Sequence, residues 1–263
     1  MVQALRHPVG TMCFMESGSV DVEVSHSFYA AVFDWGVDDH SFPTGGSYTR
    51  FLLQDLPVAG AFSVDADQDL SILPDQWWPF VCVESVDAVL QHAVSLGAVP
   101  LGDVVDVPGE FSAAEFRDPS GAICGMWQPR SHVGARFTKE VGALSWTDLA
   151  TPDPTAAASF YGELFGWTLG SEDMKSQTYG FFTSDGAVVA GLARSDSAEA
   201  PWWRPHVGVK DLDAAIATAV ELGGELGGEA PDVPGLGRRV AVKDPIGIRL
   251  MLIEACHGTN NRK

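Results

Sequence analysis

The chain repeats itself once over nearly its whole length, and this constrains its fold more than any other feature. Phe28-Tyr29-Ala30-Ala31-Val32-Phe33-Asp34-Trp35 returns as Phe160-Tyr161-Gly162-Glu163-Leu164-Phe165-Gly166-Trp167, a displacement of 132 residues. Val83-Glu84-Ser85-Val86-Asp87 returns as Val209-Lys210-Asp211-Leu212-Asp213, displaced by 126. Arg117-Asp118-Pro119-Ser120-Gly121 returns as Lys243-Asp244-Pro245-Ile246-Gly247, again displaced by 126, so the second copy has lost six residues between the blocks. A period this long is that of a domain rather than of a solenoid repeat. The 263 residues, 46% of them hydrophobic, suffice for two such domains, each with its own core.

The formal net charge of −19 removes the basic footprint that nucleic-acid backbones or anionic membranes require. No apolar run approaches membrane-spanning length, and Met1 to Gly10 is too short and too polar to read as a signal peptide. Of Cys13, Cys82, Cys124 and Cys256, three sit in apolar strand-like runs and none forms a CxxC pair. They read as reduced and buried, which suits a cytoplasmic protein. The partner expected is a small molecule, in a monomer or a homodimer.

Each copy opens with a strand-like run, Gly10 to Glu16 in the first. Asp21 then caps a helix with apolar residues Val24, Phe28 and Val32 at helical spacing. In the second copy Asp153 caps, Pro154 takes the first helical position, and Ala157, Phe160, Tyr161, Leu164 and Phe165 form the buried stripe. A glycine stops each helix, Gly36 or Gly166. Two short β segments follow, and the plan restarts with a strand at Pro79–Glu84, a helix at Val86–Leu96 ended by Gly97, and further strands. Asp118 to Gly121 has Asp, Pro and Gly where a type I turn wants them. Residues 129–139, polar and without periodicity, read as the linker between domains at 9–128 and 140–254, with a tail at 255–263.

Phe-Tyr followed by Phe-x-Trp on an Asp-capped helix, Val209-Lys210-Asp211 leading into a second helix, and Asp-Pro-x-Gly before the last strand resemble the vicinal oxygen chelate superfamily. That superfamily contains glyoxalase I, bleomycin-resistance proteins, fosfomycin-resistance enzymes and extradiol dioxygenases. The match covers residues 9–128 and 140–254 and is similar above all to the two-domain, hydroxylase-like glyoxalase members. The resemblance implies an α+β fold of tandem glyoxalase-like domains, in which four βαβββ modules form two curled-sheet cups that hold the ligand.

Metal-using members place their ligands on three strands of a cup. Counting from the shared landmarks puts those positions at Phe14, Trp78 and Gly125 in copy one, and at Trp146, Arg204 and Met251 in copy two. None suits a divalent metal. A register slip would admit His206, but His206 with Asp148 falls short of the three protein ligands of a stable catalytic site. The expectation is therefore no metal and no cofactor.

Residues two apart on a strand share a face. Cup one would be walled by Phe14, Trp78, Phe80 and Trp127, with Glu16 as its charge and Gly125 leaving space: either an aromatic pocket or a filled core. Cup two would hold Trp146, Asp148, Arg204, His206 and Met251. There Asp148 could orient His206 for proton transfer near neutral pH while Arg204 holds an anion, or Arg204 and Asp148 could form a structural ion pair. The glycines at 223–224 and 235–237 lack a phosphate-loop context, and no Gly-x-Ser-x-Gly elbow is present. The leading reading is a metal-free protein that binds an aromatic or apolar metabolite or antibiotic, as bleomycin-resistance relatives do. The alternative is a metal-independent hydroxylase, lyase or isomerase of secondary metabolism using His206, Asp148 or Glu16.

Overall fold

Each copy curls into one mixed sheet flanked by two helices. The computed structural model describes residues 2–41, 46–63, 76–170, 179–196, 199–229 and 235–254, so Cys256 and the expected tail lie outside the described residues. Copy one runs β1 (Met12–Ser19), α1 (Val22–Phe33), β2 (Gly36–Ser41), β3 (Ser47–Leu53), β4 (Leu56–Ser63), β5 (Trp78–Cys82), α2 (Val86–Ser95), β6 (Val99–Pro100), β7 (Val105–Val107), β8 (Phe111–Arg117) and β9 (Ile123–Pro129). Copy two runs β10 (Leu144–Thr151), α3 (Pro154–Phe165), β11 (Thr168–Leu169), β12 (Tyr179–Ser184), β13 (Ala187–Arg194), β14 (Trp202–Val209), α4 (Leu212–Glu221), β15 (Glu225–Glu229), β16 (Arg239–Lys243) and β17 (Arg249–Glu254). No helix among the described residues is long and apolar enough to cross a membrane.

The strand order β2-β3-β4-β1-β5-β9-β8-β6 is matched by β11-β12-β13-β10-β14-β17-β16-β15. The opening strand of each module lies parallel to its last long strand (β1 with β4, β5 with β9), and the two opening strands meet antiparallel at the centre. Four αβ modules in two curled sheets are the expected α+β architecture. The helices begin where the sequence says: Asp21, Ser85, Asp153 and Asp211 each accept a backbone N–H of the first turn. One end differs. Gly166 closes α3 in the left-handed region, but α1 is closed there by Asp34, at φ 55°, and Gly36 already begins β2.

The expectation of one core per copy is overturned. One apolar cluster joins Phe28, Tyr29, Phe51 and Trp77 of copy one to Leu212, Val240 and Leu250 of copy two. A second joins Val81, Phe116 and Met126 to Phe160, Tyr161 and Trp203. Helix α1 packs on α4 and α2 on α3, and the central strands β5 and β14 touch. The repeated landmarks are the joint. Asp118 Oδ1 accepts three backbone N–H groups of its own turn, while its Oδ2 accepts the Tyr161 hydroxyl at 2.8 Å; that hydroxyl in turn accepts the Trp203 indole N–H at 2.7 Å. In the mirror position Asp244 accepts the Ser25 hydroxyl at 2.9 Å, beside Tyr29. A lone module leaves its helix-covered face open, so the copies bury those faces against each other.

Residues 129–139 are likewise no free linker. Ala135 and Phe137 are buried, the Ala135 N–H donates to the Cys13 carbonyl at 2.7 Å, and His132 packs against Phe14, Phe111 and Trp127.

Candidate functional site

The helix-free faces of the sheets are the cups, and the expected registers hold. Phe14 pairs with Phe80 and Phe80 with Gly125, while Glu16 pairs with Trp78. In copy two Trp146 pairs with His206 and His206 with Met251, while Asp148 pairs with Arg204. Every candidate therefore stands in one of two clusters, one per cup.

Cup one is filled. Phe14, Trp78, Phe80 and Trp127 are each no more than 2% exposed, with Phe14 and Phe80 at 4.9 and 5.7 Å from Trp127 and Phe111 stacked on Trp127 at 4.0 Å. The expectation that Gly125 leaves room is corrected, because a Cβ there would overlap the Phe80 ring. Of the two readings of these rings, the packing matches the filled core. Above it, Glu16 is 5% exposed and accepts the Tyr48 hydroxyl at 2.5 Å across Gly60. Burial, reinforced by Glu115, pushes the Glu16 carboxyl up to about 8, and burial lifts Glu115 to about 7. Glu16 is thus protonated at neutral pH.

Cup two repeats the acid and its tyrosine but not the surroundings. Asp148 is fully buried; its Oδ2 accepts the Tyr179 hydroxyl at 2.7 Å, and the Trp146 indole N–H donates to that hydroxyl at 2.8 Å. Arg204 Nε donates to Asp148 Oδ1 at 2.5 Å and Arg239 Nη1 to Oδ2 at 3.0 Å. Tyr179 reaches in from β12 and Arg239 from β16, contacts that only a strongly curled sheet permits. Burial, the largest single influence, opposes ionisation of Asp148, yet Arg204, His206 and the hydrogen bonds from Arg204 and Tyr179 together outweigh it, and the carboxyl lies below its ordinary 3.8. The ion pair foreseen for Arg204 and Asp148 is present, with Arg239 as a second cation.

The expected Asp148–His206 dyad is not formed. His206 Nδ1 lies 2.8 Å from the Arg204 carbonyl oxygen, so that carbonyl, not Asp148, fixes the imidazole. Nor does His206 titrate near neutrality: complete burial, aided by the repulsion of Arg204 and Arg239, outweighs the attraction of Asp148 and lowers it to about 4. The buried side-chain atoms without a hydrogen-bond partner among the described residues include His206 Nε2 and Arg204 Nη2 in cup two, and Trp78 Nε1 and His132 Nε2 in cup one. Trp202, Met251, Ala150 and Ala241 form the apolar wall beside the pair in cup two.

The sequence reading missed Tyr48, Tyr179, Arg239, Glu115 and His132. Tyr48 and Tyr179, like Gly60 and Gly191, are displaced by 131 residues and so could have been found as a repeated pair. Arg239 and Glu115 have no counterpart in the other copy and leave no such trace.

The superfamily implies a divalent metal in a cup, and the residues present do not fit one. The six positions that the resemblance assigns to ligands carry Phe14, Trp78, Gly125, Trp146, Arg204 and Met251, and no group of three or more His, Cys, Asp or Glu suited to a metal occurs among the described residues. Asp148, the acid nearest to those positions in cup two, is already engaged by two guanidiniums.

A glyoxalase-like domain model matches residues 146–253. The chain belongs to the glyoxalase-like family of the vicinal oxygen chelate superfamily. CFP32 of Mycobacterium tuberculosis, a proposed glyoxylase, is 30% identical over 241 residues, covering 90% of this chain and 92% of its own. DauV, an anthracycline biosynthesis protein of Streptomyces sp. strain C5, is 30% identical over 261 residues, covering 95% of this chain and 94% of its own. The 2,3-dioxygenase LapB from Pseudomonas sp. KL28 shares the fold at a TM-score of 0.60 and 14% identity, over 100% of this chain and 96% of its own.

Proposed function

We propose that this protein is a glyoxalase-type protein of secondary metabolism that binds a flat aromatic metabolite in its second cup without a metal ion. One observation carries the reading. Arg204 Nη2 and His206 Nε2 are buried without a hydrogen-bond partner among the described residues, beside the apolar wall of Trp202 and Met251. Polar groups left without partners beside apolar side chains are the kind that a ligand's own polar groups satisfy. The likeness to DauV supports an aromatic metabolite as the ligand class. Phe14, Trp78, Phe80 and Trp127 serve in this reading as core, so only Trp146, Asp148, Arg204, His206 and Met251 of the expected lining belong to the site.

The alternative, metal-independent catalysis, draws on the buried Glu16–Tyr48 pair: burial pushes the Glu16 carboxyl up to about 8, which makes it a candidate proton donor at neutral pH. To test the binding reading, chelator-dialysed protein is titrated with 2-naphthoate while tryptophan emission is followed, and its metal content is measured. Saturable quenching with less than about one metal per ten chains supports the reading. Quenching that appears only after zinc, manganese or iron is restored overturns it.

A further inference from the structure

We infer that the crevice between the starts of β10 and β13 is a docking groove for a short peptide segment of a partner protein, a glycine followed by a small residue, held through its backbone. The inference does not depend on what either cup binds.

Parallel pairing within each copy begins only at Glu16–Gly60 and at Asp148–Gly191. Ahead of those residues the strands part, and their facing backbone groups need other partners. In copy one the chain itself fills the gap. The Ala135 N–H donates to the Cys13 carbonyl and the Arg136 N–H to the Pro57 carbonyl, each at 2.7 Å. A carbonyl oxygen only accepts, so His7 Nε2 donates to the Ala135 carbonyl at 2.8 Å. Gly134 lies against Cys13 at φ 95°, where a Cβ would stand 2.6 Å from that carbonyl oxygen, and Ala135 is fully buried.

Copy two keeps the gap, and no segment among the described residues fills it. Cys13, Pro57 and His7 correspond to Ser145, Val188 and Lys139, displaced by 132, 131 and 132. The turn before each opening strand confirms the match: Gly10 donates to the Cys82 carbonyl and Gly142 to the Gly208 carbonyl, both at 2.8 Å. All three counterparts line a crevice of about 250 Å³, walled by Met12, Leu144 and Val189. Of the cup-two cluster only Trp146 borders it. A segment laid here as 134–136 lie in copy one would give one N–H to the Ser145 carbonyl and the next to that of Val188. The carbonyl between them would accept from the Lys139 ammonium. Backbone hydrogen bonds give such docking its affinity, and the cramped approach at the first position selects glycine. The chain's own segment of this kind is already engaged in copy one, so the occupant comes from another protein.

The test titrates the protein into fluorescein-labelled Val-Gly-Ala-Arg-Phe amide, the sequence of residues 133–137, and follows fluorescence polarisation. Saturable binding with a Kd below about 1 mM is expected. Methylating the alanine nitrogen removes the donor to Ser145, and L-alanine in place of the glycine adds the Cβ; each change should weaken binding at least about tenfold. Lys139→Met should weaken it as well. Val188→Arg, at a position 46% exposed, should fill the crevice and abolish binding while the circular dichroism stays unchanged. Failure of the parent peptide to saturate at millimolar protein overturns the inference. So does affinity that N-methylation, Lys139→Met or Val188→Arg leaves undiminished, since the peptide then sits elsewhere.

Discussion

Replacing Glu16 by Gln should make the protein more stable at neutral pH, and increasingly so as pH rises. The Glu16 carboxyl is 5% exposed, accepts only the Tyr48 hydroxyl among the described residues and sits near Glu115. Its pKa rises from an ordinary 4.5 to about 8, with burial the main cause. The native state keeps a proton that the unfolded chain releases above about pH 4.5, so stability falls between about 4.5 and 8 and levels off beyond. At about 1.36 kcal/mol per pH unit, the loss reaches about 3 kcal/mol by pH 7. Gln has the shape of the protonated acid, and its amide oxygen can take the Tyr48 hydrogen. Glu16→Gln should therefore match the parent near pH 4.5 and exceed it by about 2–3 kcal/mol at pH 7. Glu115, lifted to about 7, leaves part of the slope in place. Urea unfolding followed by tryptophan emission from pH 5 to 8.5 reads the difference directly. A stability gap that does not widen with pH would refute the reasoning.

Asp148→Asn should act in the opposite sense, because it leaves Arg204 and Arg239 buried without their carboxylate. A loss of about 3–5 kcal/mol at pH 7 is expected in the same unfolding assay. Because the native pKa is depressed below 3.8, that loss should shrink as pH falls through the native value. Tyr161→Phe removes the hydroxyl that links Asp118 to Trp203 across the copies and should cost about 1–3 kcal/mol, read as a lower urea midpoint without loss of secondary structure. Trp127→Ala should cost about 3–5 kcal/mol and leave the affinity for 2-naphthoate in the still-folded protein unchanged; weakened binding would return the ligand to cup one.

The repeat made the fold legible, because two copies of the same landmarks fix both the modules and the registers at Phe14, Trp78 and Gly125. Strand alternation then placed Glu16, Phe80, Asp148 and His206 on the cup faces. What stayed hidden depends on reach across the sheet. Tyr179 and Arg239 arrive at Asp148 from opposite wings, and neither distance is encoded by spacing along the chain. Nor does a hydrophobic period say which copy supplies the partner: Tyr161 reads as a core residue either way, and only the structure sets it on Asp118 of the other half. The stretch 129–139 misled for a related reason. Arg130, His132, Arg136 and Lys139 are polar, but Trp127 donates its indole N–H to the His132 carbonyl and Ala135 lies on Cys13, which draws the segment inward.

The location of the ligand decides the account. A crystal structure of chelator-treated protein soaked with 2-naphthoate should show the ring in cup two beside Met251, with its carboxylate on Arg204. Density for the compound among Phe14, Trp78 and Trp127, or for a metal ion bridging it to the protein, would contradict the account.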